Sequence, residues 1–253
     1  MNATPCRLCV DRLLTPRQSH RAAELALAEN PANKAVSSSA MRAGAETAKL
    51  WRPGRILRVT FLDGDDERTL DAVQRYAAQW NEICSVRFRF VKDPDSEIRI
   101  SFRERGASWS YVGTDCLLFE TGPTMNFGWF ESTTEEPEYS RTILHEFGHA
   151  LGLFHEHQNP SGGIKWKQRA VYDYYRRVLG WSEEMVHRNV LRRYEKDQSQ
   201  YTTFDADSIM LYPVPADFTE DGFATGLNTT LSEEDKRFIQ GIYPRAMTKS
   251  CGW

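Results

Sequence analysis

The stretch His145-Glu146-Phe147-Gly148-His149-Ala150-Leu151-Gly152-Leu153-Phe154-His155-Glu156-His157 holds four of the chain's six histidines. On an α-helix, residues four apart differ by about 40° in direction. His145 and His149 therefore project from one face and can bind one metal ion together. Ile143, Leu144, Phe147, Ala150 and Leu151 fall on roughly the opposite side, where they would anchor the helix in a core. Gly152 stands where a left-handed residue ends a helix and turns the chain back, which can bring His155 to the same ion. Three neutral nitrogens leave a fourth position for water, the pattern of a catalytic rather than a structural zinc. Glu146, beside the first ligand, is the expected general base for water whose pKa the ion has lowered. The chemistry that fits is amide hydrolysis, with the oxyanion stabilised by the ion and nearby donors.

A bare His-Glu-x-x-His arises by chance in roughly one chain in a hundred of this length. The spaced Gly152 and His155 lower that by roughly a thousandfold. Two plainer readings stand beside it: satisfied core or surface histidines, and a structural zinc site, in which Glu146 would have no role.

Outward from this motif the chain divides unevenly. Of its 253 residues, 13 Phe, 7 Trp and 10 Tyr all lie beyond residue 50. Residues 1–50 carry 11 alanines and a net charge of +3, too little to bury for a core of their own. They read as an N-terminal extension or pro-segment, with a short helix over 18–29 and a linker through Ala48. Residues 51–253 read as one catalytic domain. A strand over Arg55 to Leu62 ends at the turn Asp63-Gly64. A helix follows over 66–83, with Leu70, Val73, Tyr76, Ala77, Trp80 and Ile83 at helical spacing. Strands over 86–91 and 97–102 are joined by a turn at Asp93-Pro94-Asp95, and 107–131 suggests short irregular strands at a sheet edge. Helices are expected over 138–151, over 166–190 in one or two pieces, and from Ser232, a fitting N-cap, to Gln240. The class is α+β.

A formal net charge of −3 excludes a strongly basic nucleic-acid binder. No apolar run approaches the 18 or so residues of a membrane helix. The broken apolar residues of the first dozen positions do not resemble a secretory signal, and five widely spaced cysteines imply no disulfide framework. A cytoplasmic compartment is the default expectation, and a secreted one if a signal has been trimmed.

With these residues in view, the chain resembles the metzincin zinc peptidases, whose longer motif is followed by a methionine-containing turn. Here that turn would be Ser208-Ile209-Met210-Leu211-Tyr212. The resemblance implies that Met210 lies beneath the metal without binding it. Glu156, directly after the third histidine, resembles the astacin type, whose counterpart binds a trimmed N-terminus. Tyr212 strengthens that likeness, because in such enzymes this tyrosine contacts zinc or stabilises the tetrahedral intermediate. The likeness runs from roughly Trp51 through Pro244. It implies a mixed twisted sheet with an active-site helix, then a mostly irregular and helical second subdomain. The cleft would lie between roughly 51–152 and 153–253, and an edge strand from 107–130 would receive an extended peptide.

The expected function is therefore a zinc-dependent endopeptidase with His145, His149 and His155 as ligands and Glu146 and Tyr212 as catalytic residues. The alternatives are a dedicated maturation or self-processing protease with one substrate, and a zinc-containing peptide-binding protein with little catalysis. Cys6 and Cys9 admit three readings: a thiolate that keeps the enzyme latent, a separate small metal or redox site, or incidental cysteines. Phe61-Leu62-Asp63-Gly64-Asp65 superficially resembles an astacin propeptide motif but reads as a turn and helix cap. Residues 165–193, with 8 Lys+Arg against 3 Asp+Glu, read as a solvated face over an aromatic core rather than a nucleic-acid surface. Cleavage preference and oligomeric state are not legible.

Overall fold

In the computed structural model, which describes residues 7, 9–33, 49–193 and 203–245, strand β1 (Ile56–Phe61) runs between β2 (Arg87–Phe90) and β3 (Ile98–Ser101). All three are parallel. The turn at 93–95 therefore does not make a hairpin. Val59 is level with Phe90, where β2 ends, and with Ile98, where β3 begins. The short connection needs only to step across β1. Beyond β3 lie β5 (Met125–Phe127) and β4 (Ser108–Ser110), in the order β2-β1-β3-β5-β4. Only β4 runs antiparallel, and it forms the sheet edge.

Helix α2 (Glu67–Ile83) starts at an N-cap, Asp66, whose side chain accepts from the Thr69 N–H. Asp63 accepts from Ser101 Oγ and the Phe102 N–H. The 61–65 segment is thus a turn and cap, as expected. Helix α2 packs beside α3 (Glu136–Ala150), and Trp80 Nε1 donates to Leu144 O at 3.2 Å. Leu57, Val59, Val73, Ala77, Trp80, Ile98 and Ile100 form the core with Ile143, Leu144 and Phe147. No described residue before Leu50 belongs to it.

The second half is mostly irregular. It contains α4 (Gln168–Leu179), α5 (Glu183–Val186), a single π turn (His187–Leu191) and α6 (Glu233–Ile242). Val171, Tyr175, Trp181, Val186, Tyr212 and Phe218 make a smaller cluster there. The basic residues of α4 point outward, Arg169 and Arg176 both pairing with Asp173. Among the described residues no helix is long and apolar enough to cross a membrane.

The described residues of the N-terminal segment dock on the rest of the chain. Helix α1 (Pro16–Glu29) begins two residues earlier than its sequence suggests. Thr15 and Gln18 cap each other there, and Pro16 fits the first turn. Ala22 and Ala26 are buried, on a helix that packs against the 3-10 turn Gly113–Leu118. Asn33 exchanges side-chain hydrogen bonds with the Leu50 N–H and C=O. Lys49 pairs with buried Asp115. Cys6 and most of the expected linker lie outside the described residues.

Candidate metal centre and its cover

Helix α3 is buried over nearly all of its last three turns, which lets a polar face be held without solvent support. Its C-terminal carbonyls find partners: Trp51 Nε1 donates to Ala150 O at 2.7 Å and Tyr243 OH to Leu151 O at 2.7 Å. Gly152 adopts φ +98°. The N–H groups of Gly152 and Leu153 return to His149 O and Gly148 O at 2.8 and 3.0 Å, the reversal expected at a glycine-terminated helix. The same turn presents Leu153 O to His149 Nδ1 at 2.8 Å.

After the reversal His155 faces the helix. It is bound to the 208–212 turn through the Glu156 N–H, which donates to Met210 O at 2.9 Å. That turn also orients the first histidine, whose Nδ1 is 2.9 Å from Ile209 O. Asp235 of α6 supports it from behind, accepting from Ser208 Oγ and the Ile209 N–H at 2.7 and 2.8 Å. Met210 lies against α3, where a Cβ added at Gly148 would sit 2.5 Å from its Sδ. Gly148→Ala is expected to cost about 2 kcal/mol by overpacking. Denaturant unfolding would measure this, and an unchanged midpoint would show that Met210 can move aside.

Carbonyl bonds at Nδ1 leave the Nε2 lone pairs of His145 and His149 free to face inward. His145 Nε2 is buried without a partner. His149 Nε2 and His155 Nε2 lie 3.1 Å apart, an arrangement that a shared cation relieves. The ligand atoms of His145, His149, His155 and Cys9 all lie within 4.8 Å of one another. Three imidazoles and a thiol are a donor set suited to zinc. Burial, then the neighbouring imidazoles, holds His145 and His155 well below the usual imidazole range. Burial alone brings His149 down to about 4. All three are therefore neutral and ligand-ready near pH 7.

Glu146 is fully buried, with Oε1 unpartnered and Oε2 3.4 Å from Cys9 Sγ. Burial, partly offset by the Cys9 hydrogen bond and reinforced by Asp11, lifts it to about 8. Burial, then Glu146 and Asp11, also pushes the Cys9 thiol up. A bound cation would reverse that and hold the thiolate. Tyr212 OH donates to Cys9 O, and burial raises its pKa well above the usual phenol range. His157 stays outside the metal group, its Nε2 2.8 Å from Asn189 O and its ring against Tyr212 at 4.3 Å. Glu156 accepts from Asn159 Nδ2 and the Asp205 N–H at 2.8 and 3.0 Å. In this structure it is held by those groups rather than by a trimmed N-terminus.

Residues 7 and 9–12 contact α3, the edge strand and the histidine cluster. Arg141 Nη2 donates to Arg7 O at 3.0 Å, and the Val10 N–H to Ser108 O on the edge strand at 3.0 Å. The Asp11 N–H donates to Asn189 Oδ1 at 3.0 Å. Asp11 Oδ1 lies 3.3 Å from His155 Nδ1 but is not aligned as a hydrogen bond. Asp11 and Asp235 carried no local sequence signal for these contacts. Only Ser232 was visible, as the N-cap of the last helix.

The family model of astacin, a peptidase family, matches residues 44–243. One solved structure of myroilysin is 38% identical, with a TM-score of 0.77, covering 80% of this chain and 99% of that one. A second is 39% identical, with a TM-score of 0.61 and coverages of 78% and 87%. High choriolytic enzyme 1, a hatching enzyme zinc-protease from Oryzias latipes (medaka fish), shares the fold at 15% identity. Its TM-score is 0.55, over 83% of this chain and 98% of that one. No curated protein matches the chain significantly.

Proposed function

The chain belongs to the astacin family of peptidases and is a zinc-dependent endopeptidase acting on protein or peptide substrates, and from that premise we propose how its residues divide the work. His145, His149 and His155 would hold the zinc. The observation that carries this is the convergence of three neutral imidazoles, two of them tied through Nδ1 to Ile209 O and Leu153 O. When bound, the ion supplies an acidified water and a Lewis acid for the scissile carbonyl. Glu146 takes the water's proton and passes it to the leaving amine. Tyr212, freed from Cys9, turns its hydroxyl to the developing oxyanion. Substrate lies extended along β4, where Ser108 O now takes the Val10 N–H.

Residues 1–50 act as a pro-segment on residues 51–253. Cys9 would offer the metal a further ligand, its carbonyl holds Tyr212, and Val10 covers the edge strand. The segment thus blocks the ion, the oxyanion donor and the substrate track together.

Mass-spectrometric profiling of a broad peptide mixture tests the assignment. The zinc-loaded, uncovered enzyme should cut, the chelated enzyme should not, and added zinc should restore the cuts. Tyr212→Phe is expected to lower kcat about 10²-fold with little change in KM, the effect of losing one oxyanion donor. Cuts that survive chelation would overturn the reading. Unchanged kcat in Tyr212→Phe would remove that residue's role.

A further inference from the structure

Past the metal centre the covering segment makes a second anchorage. Arg12 Nη1 and Nη2 donate to Glu104 Oε1 and Oε2 at 3.1 and 3.2 Å, and its guanidinium carbon lies 4.1 Å from the centre of the Trp109 ring. Trp109 belongs to β4 and is 1% exposed. Its Nε1 donates to Glu104 Oε2 at 3.0 Å, so the ring beneath the guanidinium also aims the carboxylate. The backbone of Glu104 is fixed as well. Its N–H donates to Asn126 Oδ1 at 3.3 Å, and Asn126 Nδ2 donates to its carbonyl at 2.9 Å. Tyr111, from the loop after β4, packs edge-on against Trp109 at 5.7 Å.

Every part of this box except Arg12 belongs to the body of the enzyme, and the box stands one residue along β4 from Ser108, which pairs with the segment. When the segment leaves, an indole face with a carboxylate held at its edge remains beside the proposed substrate track with its cation gone. A carboxylate offering two oxygens beside an aromatic face fits the planar, forked guanidinium better than an ammonium. We propose that Glu104 and Trp109 form a substrate subsite for a basic, arginine-preferring side chain, and that Arg12 of the pro-segment borrows it. This rests on the peptidase reading and adds a specificity determinant to it. Arg12 and Glu104 side chains are 37% and 45% exposed. Screening by solvent therefore limits the expected preference to about five- to tenfold.

Two measurements test the proposal. In the zinc-loaded full chain, the rate of iodoacetamide alkylation located at Cys9 by mass spectrometry should rise about five- to tenfold in Arg12→Ala and in Glu104→Gln. It should rise no further in the double variant and by less in Arg12→Lys. This arm needs no catalysis. The second arm profiles cuts by a Cys9→Ser/Arg12→Ala chain on peptides generated without trypsin. Arginine should be enriched at one fixed position relative to the cut, and the enrichment should vanish when Glu104→Gln is added. Unchanged alkylation rates, or an arginine preference indifferent to Glu104→Gln, would overturn the subsite. No Glu146-dependent cut from either chain would instead overturn the peptidase reading, and substrate use of the box with it. The alkylation arm would still decide whether Arg12 is clamped.

Discussion

Glu146→Ala, introduced into a zinc-loaded chain uncovered by Cys9→Ser, is expected to lose about three orders of magnitude in turnover while keeping its zinc. The side chain is fully buried beside His145 but is not one of the clustered metal-binding groups, so its removal leaves the three imidazoles intact. One oxygen has no partner and the other faces only Cys9. No structural hydrogen bond therefore explains keeping a buried carboxylate there, at a cost that a neutral side chain would avoid. Burial, and more weakly Asp11, lifts its pKa to about 8 in the covered state. Departure of residues 9–12 admits solvent and removes Asp11. Both changes lower the pKa while loss of the Cys9 hydrogen bond raises it, and the readmitted solvent, which reverses the largest cause, favours the carboxylate, the form a general base needs. Zinc content by metal analysis and cleavage profiles of both chains decide the point. Turnover retained within tenfold would sink the assigned role.

Cys9→Ser in the full chain is expected to raise peptidase activity about 10²-fold. Loss of one good metal ligand from the cover, of order 3 kcal/mol, corresponds to that factor. A chain starting near Ala45 should gain at least as much, because it also loses Val10 from the edge strand and Asp11 from beside His155. The main core contains no described residue before Leu50, so the shorter chain keeps the packing that holds α3. Initial rates on a fluorogenic peptide, normalised to bound zinc, compare the three forms. Equal rates in all three would remove latency as the role of residues 1–50.

Much of the fold was legible in the sequence. The run 145–157 determined a helix, a glycine reversal and a third histidine, because metal-binding side chains at helical spacing and one left-handed position tolerate few other conformations. Local periodicity identified α2 and the principal strands, since alternation and 3.6-residue spacing are properties of neighbours in the chain. The order of strands was not legible. The turn at 93–95 joins two strands without saying whether they pair, and β1 lies between β2 and β3, a choice set by the stagger of pairing at Val59 rather than by the turn. The N-terminus of α1 was missed because its start is set by the reciprocal Thr15–Gln18 cap and Pro16, while the apolar spacing begins later.

By itself the sequence determined the chemistry this protein can perform: which imidazoles can share an ion, which carboxylate stands beside them, and which segment is too poor in aromatics to fold alone. It left the roles of Cys6 and Cys9 open and gave none to Asp11, Arg12, Glu104 or Asp235. Tertiary structure decided which groups the described ones among them meet. It brought Cys9 to Glu146, 137 positions away in the chain, set Asp11 against His155 and closed Arg12 over Trp109. Such pairings depend on where separate elements pack in space. Their energies come from burial and alignment at contacts between distant segments, for which a linear chain carries no local pattern.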